Sequence, residues 1–177
     1  NIEEHAKSDQ HGNIYTENLP SGLRFQHSKF DEKQLLSNMK GIWPTDFLNY
    51  LKNNNTSTSK SYIPIFELSI FDSGPGLARK WLKKEFDEFS ISEEEEATLK
   101  CFQKHATTKS DSNRYGIGLS EVLGCIKRHR GAIHIRTGRL LLIHAFHSDF
   151  NDKNPIIWQV THFINSPIDG TIISIFI

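Results

Sequence analysis

The chain has 177 residues, enough for one ordinary domain with a core of its own. Its 21 basic residues are balanced by 21 acidic ones, so it lacks the basic excess of a nucleic-acid binder or an electrostatic membrane anchor. Its longest apolar runs, such as Leu140-Leu141-Leu142-Ile143, fall far short of the roughly 20 residues that cross a bilayer.

No signal-peptide pattern is found, and a cytoplasmic protein is expected. Cys101 and Cys125 are the only cysteines and lack C-x-x-C spacing, so both are expected as small core hydrophobes in a reducing setting. The chain opens on Asn1 and its only methionine is Met39, so it reads as an excised segment, truncated at its N-terminus.

In chain order, residues 1–8 read as the end of a helix, and a strand is possible at 23–26. Short helices are expected at 31–38 and 46–52, separated by Gly41 and Pro44, and 53–61 is a polar loop. The strongest strand is 62–71, with Phe66, Leu68 and Ile70 on one face and Ile65, Glu67, Ser69 and Phe71 on the other. It runs into Asp72-Ser73-Gly74-Pro75-Gly76, a turn that calls for positive φ at one or both glycines. An amphipathic helix is expected at 77–90, and a second at 92–105 with Ser92 and Glu95 as its capping box. The acidic run 93–96 then serves the first turn of that helix. A polar stretch, 107–115, leads into Gly116-Ile117-Gly118-Leu119. A helix over 119–129 follows, with Leu119, Val122, Leu123 and Ile126 as its buried stripe and Gly131 as its stop. Strands are expected at 132–136, 139–146, 156–163 and 171–177, an α/β order ending in an antiparallel meander.

Two glycine clusters stand out. A carboxylate at a strand end, followed by G-x-G, puts a hydrogen-bond acceptor beside backbone that a ligand can approach closely, and an exocyclic amine is its natural partner. Gly116-x-Gly118 opens a helix, where unpaired N–H groups and the dipole favour phosphate. Neither a Walker A loop nor a dinucleotide fingerprint is present. Lys104, Lys109 and Arg114 lie just upstream, available to neutralise a polyphosphate.

The turn Asp72-Ser-Gly74-Pro-Gly76 and the run Asn113-Arg-Tyr-Gly116-Ile-Gly118-Leu119-Ser resemble the G1 and G2 boxes of the GHKL ATPases. That superfamily includes gyrase-type topoisomerases, a heat-shock chaperone, MutL and sensor histidine kinases. Residues 118–131, with His129 two before Gly131, are similar to its histidine-kinase pattern, and Gly170-Thr171 resembles the closing G-T.

The resemblance implies a single histidine-kinase-like ATP-binding domain over 1–177. Its fold would be the Bergerat fold, an α+β two-layer sandwich with a mixed, largely antiparallel sheet and helices on one face. It implies ATP and Mg²⁺ as ligands. Asp72 would accept from the adenine amine, supported by Thr171. Gly74 and Gly76 would pass beside the base and begin a mobile lid at about 77–115. Gly116, Ile117, Gly118 and Leu119 would face the phosphates, with Arg114 and Lys109 nearby. Asn1-Ile-Glu-Glu4-His5-Ala6 is similar to the N box, making Asn1 the Mg²⁺ ligand and His5 a phosphate contact, with an insertion at about 17–60. Asn38, in Leu35-Leu36-Ser37-Asn38, is the second N-box candidate; Gly41 would break its helix. The glutamate base of hydrolysing members would lie before residue 1, so no catalytic residue is assigned. Three functions follow: a nucleotide-gated switch or ATPase within a larger protein, a histidine or serine protein kinase acting on a separate partner, or a non-hydrolysing binding module. A protein partner or dimer mate is expected, with neither nucleic acid nor membrane.

The remaining signals point to structure. His144 and His147 lie three apart on a strand and face opposite sides, which excludes a joint metal site there. Arg136 and Arg139 flank a hairpin turn and are expected in solvent. Trp43, Trp81 and Trp158 are expected as core or interface anchors.

Overall fold

The computed structural model describes residues 8–15, 19–31, 62–103, 118–146 and 156–177, together with Ser37, Asn49 and Leu51. The elements are β1 (Ser21–Asp31), β2 (Tyr62–Asp72), α1 (Leu77–Leu82), a 3-10 turn (Phe86–Glu88), α2 (Ile91–Lys100), α3 (Gly118–Arg128), β3 (Ala132–Gly138), β4 (Leu140–Ala145), β5 (Gln159–His162) and β6 (Ile168–Phe176). They form an α+β fold around one open sheet of order β1-β2-β6-β3-β4-β5.

Every pairing in that sheet is antiparallel, where a mixed sheet is expected from the sequence. The reason lies in β6. The helices between β2 and β3 carry the chain over so that these two strands run the same way, yet they never touch. The last strand enters between them, antiparallel to both.

Residues directly opposite one another in antiparallel strands share a face. One face therefore carries Leu68 and Ile70 of β2, Ile173 and Ile175 of β6, Ile133 and Ile135 of β3, and Leu140 and Leu142 of β4. Leu123 and Ile126 of α3 close over it with Phe102 and Phe146, while Leu77, Ile91 and Leu99 add a partly buried margin. The heptad-like stripe of α3 meets the period-2 stripe of the strands, each hiding the other's apolar surface. A second, smaller cluster occupies the opposite face: Ile63, Ile65, Ala132, Ile143, Ala145 and Phe176, with the helical residue Leu51 buried against them. This face also carries alternating aliphatic residues, and Leu51 covers part of them. Its polar part is a ladder in which Ser69 bonds to Glu67 and to Ser174, each at 2.7 Å.

Several local boundaries differ from the sequence expectation. The strand possible at 23–26 extends over Ser21–Asp31, so part of the stretch read as an insertion is an edge of the sheet. The helix expected at 77–90 stops at Leu82, where Lys83 takes the left-handed conformation (φ 57°) and a 3-10 turn follows. The capping box of α2 is Ser90 and Glu93, not Ser92 and Glu95. The Ser90 Oγ accepts from Glu93 N–H at 3.2 Å, and Glu93 Oε2 accepts from Ser90 N–H at 2.8 Å. Both pairs satisfy the S-x-x-E pattern, and the earlier one leaves Ile91 inside the helix, where it joins the core. Cys101 is largely buried, and desolvation pushes its thiol up to about 12, whereas Cys125 is exposed rather than a core residue. Among the described residues no helix is long and apolar enough to cross a membrane.

Ile135 has no exposed surface and sits in the middle of the main cluster. Ile135→Ala should cost about 2–5 kcal/mol through lost burial and a residual cavity, read as a lower urea midpoint at unchanged slope.

Candidate functional site

The sheet register decides what stands beside the glycine turn. Asp72 ends β2 opposite Thr171 of β6, and Thr171 stands opposite Thr137 of β3, so the three side chains form a row at one end of the helix-bearing face. Thr137 and Thr171 are buried, and Asp72 is half-buried. Thr137 Oγ1 accepts the Leu77 N–H at 3.1 Å and lies 3.2 Å from both Gly170 O and Thr171 Oγ1. With Thr137 donating to the Gly170 carbonyl, Thr171 donates to Thr137 and keeps its own lone pairs for an incoming donor. Asp72 Oδ1 accepts the Gly74 N–H at 2.9 Å, which shapes the turn as an Asx turn.

Two glycines make this end of the sheet possible. Gly76 has φ +80°, and a Cβ there would meet Thr137 Oγ1 at 3.0 Å and the Gly170 carbonyl at 3.1 Å. Gly170 has φ +87°, and a Cβ would fall 1.8 Å from the Asp72 carbonyl oxygen. A side chain at Gly170 would push β6 off β2 and separate Thr171 from Asp72.

Gly118 and Leu119 open α3, whose first-turn N–H groups have no intrahelical acceptor. Residues 129–131 reverse the chain after α3, with Gly131 N–H donating to Ile126 O at 2.9 Å. The turn leads directly into β3, and α3 packs on the same face of the sheet as Thr137 and Thr171.

The segment 8–15 closes another side. Lys80 Nζ donates to Ser8 Oγ at 2.5 Å and to Asp9 O at 2.8 Å, and Gln10 bonds to Glu85. Asp9 accepts from the Asn13 side chain and from the N–H groups of Asn13 and His11, and these bonds hold its carboxyl below the usual carboxylate range. Arg79 bridges Glu85 and Asp169, each at 2.7 Å, tying α1 to the start of β6.

Of the residues singled out in the sequence, Asp72, Gly74, Gly76 and Thr171 thus stand together, and Gly118 and Leu119 begin the facing helix. Asn1, His5, Asn38, Lys109, Arg114, Gly116 and Ile117 lie outside the described residues. Among the described residues no group of three or more His, Cys, Asp or Glu could hold a metal ion.

Sequence reasoning missed the residues that hold the helices 77–103 in place. Glu94 belongs to the acidic run read as a first-turn cap, yet its carboxylate is fully buried. It accepts the Arg139 N–H at 2.7 Å and Arg139 Nε at 2.5 Å. The Arg139 guanidinium also donates to Phe89 O at 3.1 Å and lies over the rings of Phe86 and Phe89. Arg136 donates to Gly138 O, Leu140 O and Ser166 O, and stacks on Phe163. Neither arginine is the solvated hairpin residue expected: Arg136 binds two carbonyls of its own hairpin and the distant Ser166 O, and Arg139 binds Glu94 and Phe89 O from the helical segment. With Ala97 and Thr98 also buried, residues 77–103 form a packed wall beside the turn.

The chain matches no protein-family model, no curated protein and no solved structure.

Removing the Arg139 guanidinium strands a buried carboxylate, so Arg139→Met should cost about 3–5 kcal/mol. Urea unfolding measures the loss; a cost under about 1 kcal/mol would mean that the pair does not anchor α2.

Proposed function

We propose that this chain is an Mg-ATP-binding domain of the GHKL type, with a Bergerat fold, acting as a nucleotide-gated switch or ATPase within a larger protein. The observation that carries the reading is the row Asp72–Thr171–Thr137 beside the buried Gly74–Gly76 turn, on the face of the sheet that α3 covers. That combination offers a carboxylate acceptor, a hydroxyl, closely approachable backbone and helix N–H donors in one place. An aminopurine carrying phosphates needs these four features together.

The fit can be judged residue by residue. An ionised carboxylate has two oxygens with about four acceptor positions, so Asp72, which accepts the Gly74 N–H, can also take an N–H from an exocyclic amine. Thr171 can accept through its hydroxyl oxygen. Glycine at 76 keeps clear the space that a Cβ would fill against Thr137 and Gly170. Gly118 and Leu119 would donate backbone N–H groups to phosphate oxygens, helped by the helix dipole. ATP supplies the transferable γ-phosphoryl group, and Mg²⁺ neutralises its charge. Asn1 is the residue we assign to the ion, through its side-chain oxygen. The anchoring of Ser8 and Asp9 by Lys80, four residues past Gly76, supports Asn1 over Asn38, since it holds the chain that follows Asn1 and His5 against this turn. Lys109 and Arg114 would add positive charge at the phosphates. We place the protein in the cytoplasm, with a protein partner and without nucleic acid or membrane.

Thermal unfolding with ATP, GTP and ADP, with and without Mg²⁺, tests this reading. ATP at about 100 times its dissociation constant should stabilise the fold by roughly 2.7 kcal/mol, raising Tm by roughly 5–10 °C, with a smaller shift when Mg²⁺ is withheld and none with GTP. Asp72→Asn should abolish the ATP shift and leave the ligand-free Tm close to that of the parent. An unchanged ATP affinity in that variant would overturn the site.

A further inference from the structure

The two edges of the sheet are protected very differently. At one edge β5 is only four residues long, a common way to blunt an edge. At the other, β1 runs for 11 residues without proline, and its register with β2 is unbroken from Ser21↔Asp72 to Asp31↔Tyr62, with no bulge to twist it away. Its apolar side chains are uncovered: Leu23 is 63% and Phe25 65% exposed, next to Phe66 at 45%. His27 stacks on Phe66 with ring centroids 4.3 Å apart, and Phe25 lies 6.2 Å from the same ring.

The direction of the β1 backbone groups follows from one bond. Ser73 N–H donates to Pro20 O at 3.0 Å, and Pro20 stands one step before the Ser21↔Asp72 pair. Hydrogen-bonded pairs alternate along an antiparallel ladder, so Gly22, Arg24, Gln26 and Ser28 address β2. Leu23, Phe25, His27 and Lys29 then turn their N–H and C=O groups outward. The outward groups and the exposed apolar side chains belong to the same residues.

We propose that β1 pairs antiparallel with β1 of a second copy of this chain, about a two-fold axis at Gln26, joining the two sheets into one. The strand is self-complementary in that register. Phe25 faces the mate's His27, Leu23 lies beside the alkyl stem of the mate's Lys29, and Arg24 faces Ser28. No like charges stand opposite one another. Each outward residue meets an outward residue, so donors and acceptors match along the whole stretch. Gln26 meets its own copy on the axis, held in place by Arg24 and by a 2.8 Å bond to Ser28 Oγ. The contact is isologous and closes, which gives a dimer and not a fibre. The proposal is independent of nucleotide binding.

Sedimentation velocity on the full 177-residue chain should show a concentration-dependent monomer–dimer equilibrium. Two double variants test the register. In Phe25→Lys/His27→Lys, lysines face each other across the axis and the dimer should be lost. In Phe25→Glu/His27→Lys, each glutamate faces a lysine, and association should be roughly tenfold or more tighter than in the first variant. Both changes fall on exposed positions, and unfolding midpoints near the parent's verify the fold. A chain that is monomeric up to millimolar concentration, one that instead captures an unrelated extended peptide on this edge, or two variants that associate equally would each overturn the proposal.

Discussion

The position of β6 between β2 and β3 governs the rest of the molecule. The last strand of the chain bonds on one side to the strand that ends in Asp72 and on the other to the strand that ends in Thr137. It contributes Ile173 and Ile175 to the main core and sets Thr171 between the two. Without it, nothing would join β2 to β3, and the polar row at the sheet end would not exist. The close approach depends on Gly170, which adopts a left-handed conformation and stands against the Asp72 carbonyl where no other residue fits. These contacts join segments about a hundred residues apart, so loop-closure entropy is spent before the site can form.

A second constraint acts around the hairpin between β3 and β4. Gly138 turns the chain with φ +52°, and a Cβ there would lie 2.2 Å from a Glu94 oxygen. That closeness lets Glu94 bind both the backbone and the side chain of Arg139. A buried charge pair repays its desolvation only when its remaining hydrogen-bonding groups are satisfied. Here Phe89 O takes a further N–H of the guanidinium, and two aromatic rings cover its faces. Arg136 serves the other side of the same hairpin, tying it to Ser166. The two arginines thus fix the wall of helices and the turn before β6 to one short loop.

Leu77, Ile91, Leu99 and Phe102 pack residues 77–103 against the main core. Arg79 links this wall to Asp169, two residues before Thr171, and Lys80 links it to Ser8 and Asp9. These bonds join β6, α1 and the N-terminal segment around the Asp72 end of the sheet.

Much of this was legible in the chain by itself. The alternation in 62–71, the helical stripe from Leu119 to Ile126, and the glycines at 74, 76 and 131 express local sterics and periodicity, so the element types and the principal turn follow from the residues nearby. Asp72 could be singled out for the same reason, as a carboxylate between a strand and a glycine turn. The choice of Ser90 over Ser92 as a cap could not, since both are locally acceptable and only the seating of Ile91 in the core separates them. Nor could the all-antiparallel order, the packing of Leu51 on the second face, the burial of Glu94, or the partners of Arg136 and Arg139. A charged residue reads as solvated until a distant partner is brought to it, and that partner is supplied by strand order and register. Local chemistry determined the pieces of this protein, whereas long-range pairing, which no short window of sequence encodes, decided which of them meet.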